Sequence, residues 1–216
     1  REIIDWAKLN NKKINQTILI SMPGNFEYKE KVICRAGSAK QIVKKNETVP
    51  VNSFMTWVSA YVESGYQLKI VNDGKAQALG AIYSSWIDAY NSKTFLYIGP
   101  GTGLGGAIIK INQNEPHYEF ITDGHIFDIL VEIENKKFMA EDILSGKGVF
   151  QHLGISAKEL NKQYELQKKN TEYVSKMGDV CIKIINAIKT KTLTKKYGSW
   201  NKSELTSAAN INYVIL

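Results

Sequence analysis

The feature of this sequence that most constrains its fold is a glycine-rich loop enclosed between two apolar segments. Segments 94–98 and 107–111 are short and rich in β-branched and aromatic residues, which favours strands. Between them, glycine occupies five of the eight residues from Gly99 to Gly106. The pattern therefore predicts a strand, a glycine loop and a second strand.

The loop contains a G-x-G-x-x-G string at Gly101, Gly103 and Gly106, which raises the alternative of a dinucleotide-binding fold. Such a fold requires the loop to open a helix whose N-terminal amides face the pyrophosphate. Here the loop leads into a short β-branched segment instead, and no Lys-Ser or Lys-Thr follows the glycines, as a P-loop would require. The context argues against both nucleotide-binding motifs.

A turn of this composition has two interpretations. Because glycine has no side chain, the loop amides can point into one concavity and approach an anion such as phosphate. Alternatively, the glycines serve only the positive φ angles of an ordinary hairpin. The loop alone leaves both interpretations open.

A second candidate feature is the pair Asn72-Asp73. It lies between a β-branched segment, 67–71, and a helical pattern over 76–90. A carboxylate at the end of a strand can accept a proton from a hydroxyl group, and an asparagine can donate and accept hydrogen bonds beside it. The alternative is that the pair caps the next helix.

The order of the segments predicts an α/β fold. Strand patterns also occur at 17–21, 32–35 and 211–216, and helical patterns occupy 149–153, 157–166 and 171–193. The opening residues 1–10 read as a further helix.

Composition excludes several classes of protein. Of the 216 residues, 44% are hydrophobic, which is enough for a core. No run of about 18 uncharged apolar residues occurs and no signal peptide is evident, so we expect a cytoplasmic protein that enters no membrane. The net charge of +7 comes from lysines without interleaved aromatics, which argues against nucleic-acid binding. Cys34 and Cys181 lack the spacing of a disulfide framework or a thiolate metal site.

Four segments, in this order and at these spacings, resemble bacterial-type glucokinases and the related ROK sugar kinases. They are Asn-Asp within 70–81, Gly-Thr-Gly within 98–105, Gly-His at 124–125 and Ser-Gly-Lys-Gly within 140–148, and segment 17–24 resembles the stretch that precedes them. The resemblance implies an actin- and hexokinase-like α/β fold with a cleft between two domains. It also implies ATP-dependent phosphorylation of a hexose, with glucose the first choice, in carbohydrate metabolism, with ATP and Mg²⁺ as cofactors.

The resemblance also assigns roles to individual residues. Asp73 would be the catalytic base, and Asn72, Asp73, His125 and Glu141 would contact the sugar. The phosphates would lie on Gly101, Thr102, Gly103 and Gly105. By itself, His125 after a glycine is more simply a turn histidine.

Two departures from the family pattern limit what the resemblance implies. Thr122 stands where the family commonly has a glutamate before Gly-His, which leaves another hexose or an N-acetyl amino sugar as alternatives. The cysteine-rich zinc motif of many ROK proteins is absent from the sequence, which favours the glucokinase branch without structural zinc.

We expect a small domain over residues 1–91 and a large domain over 92–216. Because the sequence opens without Met and stops inside an apolar run, both are expected to be partial. The sequence is compatible with a homodimer. It is also compatible with two other functions, namely a non-catalytic ROK-type sugar sensor and a catalytically idle homologue.

Overall fold

The computed structural model describes residues 9–10, 17–22, 32–34, 48–60, 66–84, 93–112, 118–121, 126–196 and 200–216. The chain divides by packing into two units, Arg1–Asp73 and Gly74–Leu216. None of the described helices is long and apolar enough to span a membrane.

The first unit contains two pairs of strands and a helix. The strands are β1 (Thr17–Met22), β2 (Val32–Cys34), β3 (Thr48–Pro50) and β4 (Gln67–Asn72), and the helix is α1 (Val51–Ser59). Strand β1 pairs with β4 in parallel, and β2 pairs with β3 in antiparallel orientation.

The second unit is built around a four-stranded sheet in the order β10-β5-β6-β7. Its strands are β5 (Thr94–Pro100), β6 (Leu104–Ile111), β7 (Tyr118–Phe120), β8 (Leu130–Ile133), β9 (Lys136–Met139) and β10 (Tyr213–Ile215). Its helices are α2 (Asp73–Ser84, of which Asp73 belongs to the first unit), α3 (Ala140–Leu144), α4 (Gly146–Leu153), α5 (Ala157–Gln167), α6 (Thr171–Lys189) and α7 (Lys202–Ala208).

Both faces of this sheet are covered by helices. Leu96 of β5 lies in a buried cluster with Ile184 of α6, and its neighbour Phe95 lies in a second cluster with Ile82 of α2. Successive side chains of a strand point to opposite faces, so α6 and α2 pack on opposite sides. This arrangement explains why β5 and β6 are almost continuously apolar.

Two polar contacts join distant parts of the second unit. The Tyr173 hydroxyl of α6 donates to the Ile143 carbonyl of α3 at 2.8 Å, and burial raises the pKa of Tyr173 to about 12, so the hydroxyl keeps its proton at neutral pH. Lys195 Nζ lies 3.3 Å from Asp128 Oδ1, with side chains only 4% and 1% exposed. The same ammonium lies 5.4 Å from the centroid of the Trp200 ring.

The predicted mixed α/β class is confirmed, and so are the strand patterns at 17–21, 67–71 and 94–98. The helix predicted over 76–90 is present from Asp73 to Ser84, and its remaining residues lie outside the described part of the chain. The same holds for most of the helix predicted over 1–10 and for the domain boundary between residues 91 and 92, which stays a prediction.

Two glycine substitutions should change stability in opposite directions. A Cβ at Gly106 would lie 2.6 Å from the Tyr97 carbonyl oxygen and would clash with the Ile126 side chain, so Gly106→Ala should lose about 1–3 kcal/mol. A Cβ at Gly178, within α6, would meet nothing within 4 Å, so Gly178→Ala should gain about 0.5–1 kcal/mol. Thermal unfolding measures both, and a Gly106→Ala protein with unchanged Tm would contradict this packing of β6.

Candidate active site

Asn72 and Asp73 lie where a strand gives way to a helix, as the sequence predicts. Asn72 is the last residue of β4 and Asp73 is the first of α2. Parallel pairing places Met22 of β1 opposite Asn72. Both side chains are half-buried, so the carboxylate and the amide retain some access to solvent.

The glycine loop joins β5 to β6, which pair in antiparallel orientation, as the sequence predicts. The loop is anchored to the N-terminus of α4. The Gly146 amide donates to the Gly101 carbonyl at 2.7 Å, and the Lys147 amide donates to the Thr102 carbonyl at 3.2 Å. Helix α4 is itself capped by Ser145, whose Oγ accepts from the Gly148 amide at 3.0 Å.

These two hydrogen bonds fix the direction of the loop amides. In a trans peptide the carbonyl and the following amide point in opposite directions. Since the carbonyls of Gly101 and Thr102 point at α4, the amides of Thr102 and Gly103 point away from it. Within the described part of the chain, no group accepts a hydrogen bond from either amide.

Residues 101–103 are exposed. The Gly101 amide donates to the Gly103 carbonyl at 2.8 Å and is therefore used inside the loop. The amides of Thr102 and Gly103 thus form an accessible pair of donors that can hold an anion. A peptide group whose carbonyl already accepts a hydrogen bond is polarised, which strengthens its donor.

The glycines of the loop do not serve a left-handed backbone. None of Gly101, Gly103 and Gly105 has a φ between +20° and +160°. Positive φ angles of an ordinary hairpin therefore do not explain why these positions are glycine. A Cβ at Gly105 would lie 3.4 Å from the Cα of Gly74 in α2, and one at Gly103 would lie 3.3 Å from Oε2 of Glu141. The main chain of α2 therefore packs directly against the strand that leaves the loop.

Glu141 of α3 also lies at this loop. Its Oε2 accepts a hydrogen bond from the Leu104 amide at 3.3 Å. Among the predicted site residues, the structure thus brings Gly101, Thr102, Gly103 and Glu141 together, with Gly105 against Gly74. Asn72 and Asp73 belong to the first unit, and His125 lies outside the described residues.

Two residues of this region have a structural role that the sequence did not assign to them. Ser145 is fully buried, and its hydroxyl donates to the Glu141 carbonyl at 2.7 Å. A Ser-Gly step between two helical segments is a helix N-cap signal that could have revealed it. Lys75 is 1% exposed and its Nζ lies 4.6 Å from the centroid of the Phe120 ring. Nothing local in the sequence distinguishes it from the many exposed lysines.

The described residues contain no group of three or more His, Cys, Asp or Glu side chains that could hold a metal ion. No described side chain is therefore assigned to Mg²⁺.

Comparison with solved structures identifies the fold. A ROK family transcriptional regulator, a homologue of the E. coli MLC protein, aligns with a TM-score of 0.56 at 11% identity, over 99% of this chain and 62% of the regulator. A glucokinase from Parabacteroides distasonis aligns with a TM-score of 0.51 at 15% identity, over 88% of this chain and 57% of the glucokinase. A ROK hexokinase from Thermus thermophilus gives a TM-score of 0.46 at 12% identity, over 85% of this chain and 58% of the hexokinase.

The chain spans between 57% and 62% of the length of these solved structures. Neither a protein-family model nor the sequence of a curated protein matches it. At 11% and 15% identity, the two alignments with TM-scores above 0.5 establish the fold and not the activity. The chain therefore has the actin- and hexokinase-like α/β fold of the ROK proteins.

Proposed function

We propose that the protein catalyses ATP-dependent phosphorylation of a hexose, with glucose as substrate and glucose 6-phosphate as product. The observation that carries this proposal is the exposed pair of amides at Thr102 and Gly103, which the anchoring of the loop on α4 directs away from the helix. Two such donors side by side suit the terminal phosphates of a nucleotide.

Phosphoryl transfer depends mainly on positioning and on stabilising charge at the transferred group. The Thr102 and Gly103 amides would bind phosphate oxygens, and the Thr102 hydroxyl would add a further donor. Mg²⁺ would arrive with ATP and neutralise part of the phosphate charge. The described residues show no carboxylate cluster for it.

Asp73 is the proposed general base, which accepts the proton of the sugar hydroxyl as that oxygen attacks the γ-phosphate. Its position supports this role, because Asp73 directly follows the end of β4 and its side chain is only half-buried. Asn72 and His125 would bind neighbouring hydroxyls.

A second function is favoured by a specific observation. The ROK transcriptional regulator aligns over 99% of this chain, a larger share than the glucokinase covers. A non-catalytic sugar-binding protein with this fold is therefore the alternative. A turnover assay of the intact protein with ATP and a panel of hexoses separates the two, because a sensor binds sugar without forming a sugar phosphate or ADP.

Asp73→Asn should reduce kcat by about 10²–10⁴-fold, because the amide cannot accept the hydroxyl proton. Sugar affinity should change little, since the amide keeps a hydrogen-bonding group of the same size. Steady-state kinetics and calorimetric titration with glucose measure the two effects. If sugar binding falls as steeply as kcat, Asp73 is a structural residue and the proposed base is wrong.

Gly103→Val should raise the KM for ATP by about tenfold or more, because its Cβ would press on Glu141 and its branches would intrude on the exposed amides. The KM for the sugar should change less. Gly80→Ala on α2 is the control, since a Cβ there meets nothing within 4 Å. Equal ATP affinity in the Gly103→Val protein and the wild type would count against phosphate binding by the loop.

A further inference from the structure

Glu141 contacts the glycine loop, although the resemblance assigns this residue to the sugar. Its Oε2 accepts from the Leu104 amide at 3.3 Å and lies 3.3 Å from the place where a Cβ on Gly103 would be. The resemblance assigns this carboxylate to the sugar, whereas the structure places it on the loop proposed to bind phosphate. The Glu141 side chain is thus linked to the binding of both substrates, the sugar and the nucleotide.

The Leu104 amide needs an acceptor that its own sheet does not supply. Hydrogen-bonded and non-hydrogen-bonded pairs alternate along an antiparallel ladder. Because the Gly101 amide donates to the Gly103 carbonyl, the next pair, Pro100 and Leu104, is a non-bonded pair, and the Leu104 amide points away from β5. Strand β7 pairs with β6 only at the far end of β6, from Ile109 to Ile111, in the described residues. Glu141 therefore fixes Leu104, the first residue of β6, which directly follows residues 101–103.

A carboxylate has two oxygen atoms and can accept at both. One oxygen can hold the Leu104 amide while the other accepts from a sugar hydroxyl. We infer that Glu141 is a positioning residue that fixes the phosphate loop through the Leu104 amide and thereby couples sugar binding to nucleotide binding. The coupling rests on the proposed function, whereas the hold on the loop, meaning the hydrogen bond from the Leu104 amide to Glu141, does not.

The coupling has a simple physical cause. A sugar hydroxyl bound to Glu141 restricts the side chain, and the side chain restricts the loop. A nucleotide then binds a loop that is already ordered and loses less conformational entropy. Because such coupling is reciprocal, the nucleotide should raise sugar affinity by the same factor.

The hold on the loop can be tested without any ligand by amide hydrogen exchange. Glu141→Ala should speed exchange at the Leu104 amide by about tenfold, whereas Glu141→Gln, which keeps an acceptor oxygen, should stay within about threefold of wild type. Glu165→Ala, at an exposed position on α5, is the control and should change nothing. The buried Leu96 amide of β5 serves as an internal reference for general loosening of the fold.

A second variant keeps this test decisive if Glu141→Ala is unstable. Gly103→Ala would press a methyl group on Oε2, whereas the Cβ of Gly101→Ala would lie 3.7 Å from the Gly103 carbonyl oxygen, an ordinary contact. Exchange at Leu104 should therefore rise more in Gly103→Ala than in Gly101→Ala. Unchanged exchange at Leu104 in both Glu141→Ala and Gly103→Ala would overturn the inference.

The coupling is measured by calorimetric titration with a non-hydrolysable ATP analogue, with and without saturating glucose. In the wild type and in Glu165→Ala, glucose should tighten binding of the analogue by about fivefold or more, and in Glu141→Ala the ratio should fall close to one. A ratio of one in the wild type, or an equal ratio in wild type and Glu141→Ala, overturns the coupling.

The same preparation separates this inference from the proposed function. A wild type that phosphorylates glucose but shows no loss of coupling in Glu141→Ala retains the kinase function and refutes the coupling. A wild type that neither binds the analogue nor phosphorylates glucose refutes both the kinase function and the coupling, and the exchange measurement still decides whether Glu141 holds the loop.

Discussion

The site in the second unit depends on the hydrogen bonds that the N-terminus of α4 donates to the carbonyls of the glycine loop. A loop so rich in glycine loses much conformational entropy when it is ordered. The bonds from Gly146 and Lys147 offset part of that loss and also set the orientation of two successive peptide groups. The direction of the Thr102 and Gly103 amides follows from this anchor and from the planarity of the peptide bond.

The anchor is supported by a short chain of buried polar contacts. The Ser145 hydroxyl donates to the Glu141 carbonyl and accepts from the Gly148 amide, so one side chain joins the end of α3 to the start of α4. Tyr173 ties α3 to the long helix α6. Main-chain groups thus set the orientation of the Gly101 and Thr102 carbonyls, while the Glu141 side chain contacts Leu104 directly after them.

Features with a local cause were predictable from the sequence. The strands on either side of the glycine loop and the position of Asn72-Asp73 follow from apolar runs and glycine, which act over a few residues. The contact of Glu141 with Leu104 spans 37 positions of the chain, and the approach of Gly74 to Gly105 depends on how α2 packs. Neither contact leaves a periodic signal in the sequence, so neither could be predicted from it.

The hairpin β8–β9 was missed for a different reason. It falls in a stretch of mixed polarity, and its turn residues Glu134 and Asn135 both have left-handed backbone, with φ angles of 51° and 61°. Glutamate rarely occupies such a position, so only Asn135 is a residue typical of this kind of turn.

The ion pair between Asp128 and Lys195 has a consequence for how this fold can diverge. Removal of one partner from this buried ion pair would cost about 3–5 kcal/mol, a large part of the stability of a typical domain. A single substitution at one site would therefore be selected against, whereas a simultaneous exchange for two apolar residues would be tolerated. Descendants of this sequence should inherit both charges or neither, which makes the two positions a linked marker of ancestry.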